Sequence, residues 1–498
     1  MSSELEEIYS AIDQNIEEHV GRILRLISQP SIAAQNIGMR ECAELVRQLF
    51  LEAGCNRADV YDTPGQPVVY GELECGAPVT LGVYMMYDVK QVEGQNWNLV
   101  EDPFKPRVVE MPPFKRVIVG RGAVNSKGPM QAFLNAVREA MRVTGGSLPV
   151  NLRFIAEGEE EISSPNLYGF VSSHKELFEG CSAVIMPFAA QDTRGEVSLH
   201  LGCKGVFEFE LECSGESWGR GPTRSEVHSS YAPLVESPVW RLIRALSTMK
   251  ADSVDHERIT IDGFYEDVEP PSKEELSMLQ TLSARLDFSA LKESLGVKVF
   301  RGDLEGGVEA LVRLLYEPTL NIQGIRAGYT GPGFMTILPH KANVKLEVRL
   351  VPNMDAKRVL EKIRSHLDKA GYPDVRVVET DDDFGRKVGE KWARVDPKAP
   401  MVSAAIETYR EFGYEPLVWP RLAGTAPIHV FTNPPLSLPL VIFGLGHGGR
   451  AHAPDEYYVL DDTGKIKGLA AAEKSFVKIL YKAAEKYRKR EGAANIQP

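Results

Sequence analysis

Apolar positions recur along the chain at two different spacings, and the change between them divides the sequence. At 3–28 and 38–54 they fall three and four apart, the pattern of helices with one buried face, and the second run closes at "AGC". Strand-like apolar runs follow at 79–86 and 150–156. Between them lies "NSKGPMQAFLNAVREAMRVTGG", a helical segment with Gly-Pro at its start and Gly-Gly at its stop. Alternation of strand and helix predicts an α/β domain with a mostly parallel sheet. Beyond 204 the texture changes. "GVFEFELEC" (205–213) and "ANVKLEVRLV" (342–351) alternate apolar with polar, as strands with one wet face do, and "DAKRVLEKIRSHLDKAG" supplies an amphipathic helix for the dry face. The pattern predicts a discontinuous α/β domain, 1–204 and 381–498, with an α+β module, 205–380, inserted into it.

At 498 residues the chain exceeds what one hydrophobic core usually serves, which agrees with two domains. Net charge is -12, with acids scattered rather than massed, which argues against nucleic acid or an anionic membrane as partner. Six cysteines without a C-x-x-C pair suit a reducing compartment. The acidic, amphipathic N-terminus does not read as a signal peptide, and no apolar run approaches ~18 residues. A cytoplasmic protein acting on a small molecule or peptide is the expectation.

Four local clusters carry chemistry. "FIAEGEEEISS" (154–164) ends a strand in four acids among five residues. A solvated acidic loop is the bland reading, but the carboxyl end of a buried parallel strand is where α/β proteins place their sites. "VGRGAVNSKGPM" (119–130) is a glycine-rich strand-to-helix turn, weak evidence by itself. "EVHSSYAP" offers His228 inside the inserted module. "GLGHGGRAHAPDE" puts His447 and His452 in a Gly-rich loop after the apolar strand "LPLVIF". A lone histidine is usually structural; two in such a loop shift the balance toward function.

Together these segments resemble the M20 metallopeptidase family, and within it the carnosinase-like dipeptidase branch. The similarity runs nearly end to end and is specific in "EGEEEISS", "EVHSS", "GYTGPGFMTILPHKANVKLEVRLVPNMD" (328–355) and "HAPDE", with a fainter echo in "AGTAP". The resemblance implies an α/β catalytic domain and an inserted α+β lid that builds a homodimer. It also implies roles: Glu160 as general base, Glu161 and His452 as metal ligands, Asp88 as the acid that orients the centre. Arg349 would bind a substrate carboxylate, and His228 would stabilise an oxyanion from the other subunit. Thr425 falls where the family has a serine contacting substrate.

The chain departs from the family at the metal centre. "LGVYMMYDVK" (81–90) carries Met86 where the family's H-x-D strand end has a histidine ligand. Asn125 replaces the aspartate that bridges two ions, and the next aspartate falls at Pro187 or Met186. Two dications about 3.5–4 Å apart need anionic ligands between them. A thioether is a weak ligand for zinc or manganese, an amide oxygen is neutral, and proline offers no side-chain donor. The expected cofactor is therefore none, or at most one weakly held Zn or Mn ion on Glu161 and His452, helped by Asn125 and His447. Met85, Met86 and Tyr87 then line a dry pocket wall, and Met86 and Asn125 join Arg349 and Thr425 as candidate substrate-binding residues.

Three functions fit. The first is hydrolysis of an amide or peptide-like bond in a small carboxylate-bearing, dipeptide-like substrate, with Glu160 activating water. The second is metal-independent, non-hydrolytic chemistry, in which Glu160 moves a proton as an isomerase, racemase, lyase or acyl transferase requires. The third is a non-catalytic ligand-binding homodimer. The first leads because the fold and gripping residues resemble those of hydrolases.

Overall fold

The computed structural model describes residues 2–251, 258–379 and 389–494. The chain divides into two compact units: Met1–Leu201 with Val395–Trp419 and Pro427–Pro498, and Gly202–Arg394 with Pro420–Ala426. The sequence boundary at 380/381 lies outside the described residues. The insert runs on to 394 because Gly389–Glu390 pairs with Val206 and Phe207, and Ala393–Arg394 pairs with Gly202 and Cys203.

The first unit is built on six strands: β1 (Arg57–Tyr61), β2 (Val68–Leu73), β3 (Thr80–Met86), β4 (Asn151–Glu157), β5 (Cys181–Pro187) and β6 (Leu440–Phe443). Their order is β1-β2-β4-β3-β5-β6. The strands from β4 to β6 in that order run parallel, while β2 and β1 add an antiparallel edge. Consecutive residues of β3 are buried from Leu81 to Met86, so both faces are covered; that is why its sequence is a continuous apolar run rather than an alternation. Helix α2 (Lys127–Val143) packs against α1 (Ile16–Ser28) and α3 (Leu469–Ala494).

A smaller sheet matters more for the site. Phe114–Val119 pairs antiparallel with both Arg107–Met111 and Tyr457–Val459, with Val119 opposite Tyr457. The register brings the "GRGAVN" turn beside "HAPDE", two segments more than 300 residues apart in the chain.

In the second unit Gly205–Ser214 and Lys341–Leu350 pair along their full length, flanked by Thr319–Ala327 on one side and Arg376–Glu379 on the other, all antiparallel. Their inward residues, among them Phe209, Leu211, Val344, Leu346 and Val348, share a core with Leu242 and Met249 of helix Pro238–Met249 and with Val359 and Ile363 of helix Ala356–Lys369. Side-chain caps start both helices. The Asp355 carboxylate accepts from Arg358 N at 3.1 Å, and Ser237 precedes Pro238 and accepts from Trp240 N at 3.4 Å. Among the described residues no helix is long and apolar enough to cross a membrane.

Candidate active site

The carboxyl ends of β3 and β4 lie side by side, Met86 opposite Glu157. Past β3 the chain carries Asp88 inward, fully buried. Past β4 it turns through a short 3-10 helix, Glu160–Ile162. Asp88 joins the two: its Oδ1 accepts from Glu160 N at 3.2 Å and its Oδ2 from Glu161 N at 2.9 Å. One carboxylate thus satisfies two N–H groups of the turn that carries both acids, and these charge-assisted bonds fix their backbone. Burial, reinforced by the negative charges of Glu160 and Glu161, pushes the Asp88 carboxyl well above its usual range. Gly158 lets the strand end close up: a Cβ there would stand 2.4 Å from the Tyr87 hydroxyl. That hydroxyl donates to the Pro67 carbonyl at 2.6 Å, and Met85, Met86 and Tyr87 are all buried.

Glu161 is the hub of the site. Asn125 Nδ2 donates to its Oε1 at 2.6 Å, and His452 Nε2 lies 3.1 Å from the same oxygen. The ring nitrogen is also 2.9 Å from Asn125 Nδ2, and it cannot both donate to the carboxylate and accept from the amide. Hydrogen bonding to Glu161 raises the His452 pKa against the opposing pull of burial. Glu160 is half-buried beside this cluster, and His452 is more than half exposed.

Two residues central to this arrangement carried no sequence assignment. Lys90 Nζ sits 3.2 Å from Glu161 Oε2. Buried Glu456 clamps the "GRGAVN" turn, accepting from Arg121 Nη1 at 2.8 Å and from the N–H groups of Gly122, Val124 and Asn125 at 2.9–3.1 Å. A signal was available for Glu456, which closes "HAPDE"; Lys90, two residues past Asp88, gave none in the sequence. His447, in contrast, does not join the cluster. Its Nδ1 contacts the Gln191 carbonyl at 2.8 Å and its Nε2 the Tyr457 hydroxyl at 3.0 Å, so both ring nitrogens are used in the fold and the residue is structural.

The side chains present do not fit a pair of divalent ions. Met86 and Pro187 close neighbouring strands with a thioether and no donor, and Asn125 spends its amide N–H on Glu161. Among the described residues no group of three or more His, Cys, Asp or Glu side chains is disposed to hold a metal.

In the second unit, Arg349 and Thr425 meet, although they lie 76 residues apart: Arg349 Nη1 donates to Thr425 Oγ1 at 2.8 Å, while its Nε pairs with Glu347 at 2.8 Å. His228 stands exposed on a two-residue strand opposite Ile337. Its Nδ1 accepts from Ser230 N at 3.2 Å, which leaves the ring proton on Nε2, 3.1 Å from Thr336 Oγ1.

Residues 223–375 match the model of the peptidase dimerisation domain. An M20 family metallo-carboxypeptidase from Sulfolobus solfataricus superposes with a TM-score of 0.78 at 31% identity, over 94% of this chain and 99% of that one. The chain belongs to the M20 family. Among curated M20 relatives, human beta-Ala-His dipeptidase is 29% identical over 73% of this chain and 71% of its own length. Cys-Gly metallodipeptidase of Schizosaccharomyces pombe is 27% identical over 74% of this chain and 76% of its own. The fold is accordingly the M20 arrangement of an α/β catalytic domain and an α+β dimerisation domain, and the chain is an amide-bond-hydrolase-like member.

Proposed function

We propose that this M20 chain hydrolyses the amide or peptide-like bond of a small carboxylate-bearing substrate of the dipeptide class, with Glu160 as the base and most of the metal ligands lost. The observation that carries the reading is the Asp88 clamp: a buried acid holds the backbone of Glu160 and Glu161 at the carboxyl ends of parallel strands. A base held in this way takes a proton from water as the water oxygen attacks the substrate carbonyl carbon. It then returns the proton to the leaving nitrogen as the C–N bond breaks. The products are a carboxylate and an amine. Any divalent ion is at most one, weakly held on Glu161 and His452. Arg349, positioned by Thr425 and Glu347, suits the charge-assisted grip of a substrate carboxylate, and His228 suits an oxyanion contact across a dimer.

A homodimer through the inserted unit, in a cytoplasmic setting, completes the proposal. The match over 223–375 supports it, as do the exposed apolar residues Ile322 and Ile325 on the edge strand Thr319–Ala327 and Trp240 and Ile243 on helix Pro238–Met249. The decisive experiment is Glu160→Gln assayed against a dipeptide panel. Turnover should fall by a factor on the order of 10² to 10⁴ with little change in substrate binding. Unchanged turnover on the true substrate refutes the assignment.

A further inference from the structure

Glu161 is 8% exposed, and side chains of this chain approach both of its carboxylate oxygens. We infer that the Lys90 ammonium is a built-in cation that takes the place of a divalent ion at Glu161 and keeps one out. The inference rests on the metal-poor reading of the site given above and goes a step past it, from lost ligands to the group that replaced their ion.

The geometry is specific. Lys90 Nζ lies 3.2 Å from Glu161 Oε2 and also donates to the main-chain carbonyl of the same residue, so one nitrogen holds both side chain and backbone. The other carboxylate oxygen is served by Asn125 Nδ2 at 2.6 Å and His452 Nε2 at 3.1 Å. Both oxygens of Glu161 are therefore occupied by donors from this chain. A metal arriving there would have to displace the ammonium or share the carboxylate with it, which sets two cations against one anion. The short run after β3 does two jobs: Asp88 holds the Glu161 N–H, and Lys90 holds its carbonyl and carboxylate.

Isothermal titration of metal-stripped protein with Zn2+ alone, and with Mn2+ alone, tests the inference. Lys90→Gln should bind Zn2+ more tightly than the wild type by about tenfold or more, since the competing charge is gone. Lys90→Arg, which keeps the charge, should follow the wild type. The double variant Lys90→Gln, Glu161→Gln should lose the gain, which places the ion at Glu161. The Lys90 side chain is one-third exposed, and Lys90→Met serves as a second charge-free variant, each checked by circular dichroism. Wild type binding as tightly as both charge-free variants overturns the inference, and so does a gain that survives Glu161→Gln. Equal metal affinities alongside a Glu160→Gln enzyme that has lost turnover would overturn the Lys90 role alone and leave the hydrolase reading standing.

Discussion

Among the described residues of the first unit, two acid–base clusters can be set side by side, one centred on buried His19 and one on buried Glu161. Between the helices, His19 Nδ1 lies 2.6 Å from Glu473 Oε2 and its Nε2 lies 3.4 Å from Glu139 Oε1. Asn135 Nδ2 donates to the free oxygen of Glu473 at 3.0 Å, and Asn15 Nδ2 to Glu139 at 3.1 Å. At the strand ends, Asp88, Glu160, Glu161, Asn125, Lys90 and His452 make the second cluster. Titration is displaced upward at His19 and Glu473 in the first and at Asp88 and His452 in the second. They differ in access. His19 and Glu473 are fully buried, whereas the His452 side chain is 52% exposed. Perturbed acids therefore mark a strut and a site alike, and position at the sheet's carboxyl edge with an open side tells them apart.

The largest effects should cross over between the clusters. Glu160→Gln should lower turnover on the order of 10² to 10⁴ and leave Tm nearly unchanged. His19→Ala strips the partner from two buried carboxylates, and breaking a buried pair costs about 3–5 kcal/mol of stability. Turnover per folded molecule should not move. Denaturant melts read beside kcat decide the matter: a His19→Ala protein with normal stability, or with kcat reduced as far as in Glu160→Gln, breaks the distinction.

How much of this was legible in the sequence depended on the reach of each interaction. The wet-faced strands were plain in "GVFEFELEC", because the alternation of Phe207, Phe209 and Leu211 inward is a local property of the pleat. The continuous apolar run of β3 was equally plain. The antiparallel edge of β1 and β2 was not, since pairing direction leaves no mark on so short a strand. At the site, the acids of "EGEEEISS" announced themselves by position. Lys90 did not, because its partner lies 71 residues away, and a lysine reads as solvated surface until that partner is known. His447 misled for the reverse reason: a Gly-rich loop suggested access, while the folded chain gives both ring nitrogens to Gln191 and Tyr457.

The next effect in size separates gripping from chemistry. If Arg349 binds a substrate carboxylate, Arg349→Ala removes a hydrogen bond to a charged group worth about 1.5–3 kcal/mol. KM should then rise roughly 10- to 100-fold with kcat little changed, unlike the Glu160→Gln result. Thr425→Val should give a smaller shift in the same direction, by freeing the guanidinium from its 2.8 Å anchor. A fall in kcat at constant KM in Arg349→Ala would move this residue from the substrate grip to the reacting atoms.

The smallest expected effect is the pH signature of the helical cluster, and its sign follows from the geometry. Burial alone would depress the His19 pKa, but Glu473 and Glu139 overcome it and raise it above 6.5. Burial likewise raises Glu473, so the pair holds its shared proton to higher pH than separated groups would. The folded state then binds more protons than the unfolded one from near 4.5 through Glu473 and from near 6.5 through His19, and stability falls as pH rises through each window. Glu139 contributes in the opposite direction: despite burial, its bonds to Arg142 and His19 lower its pKa below 4.5, so its share is present above that value and is lost in acid. A melting series should therefore decline on the alkaline side of about 6.5, by less per kcal/mol than the roughly 2–4 °C of a 150–250-residue domain, since the first unit is larger. The test compares the wild type with His19→Gln, which cannot carry the proton. A decline of equal slope in both proteins would mean that the proton is lost elsewhere, and the helical cluster would be a strut without a titration of its own.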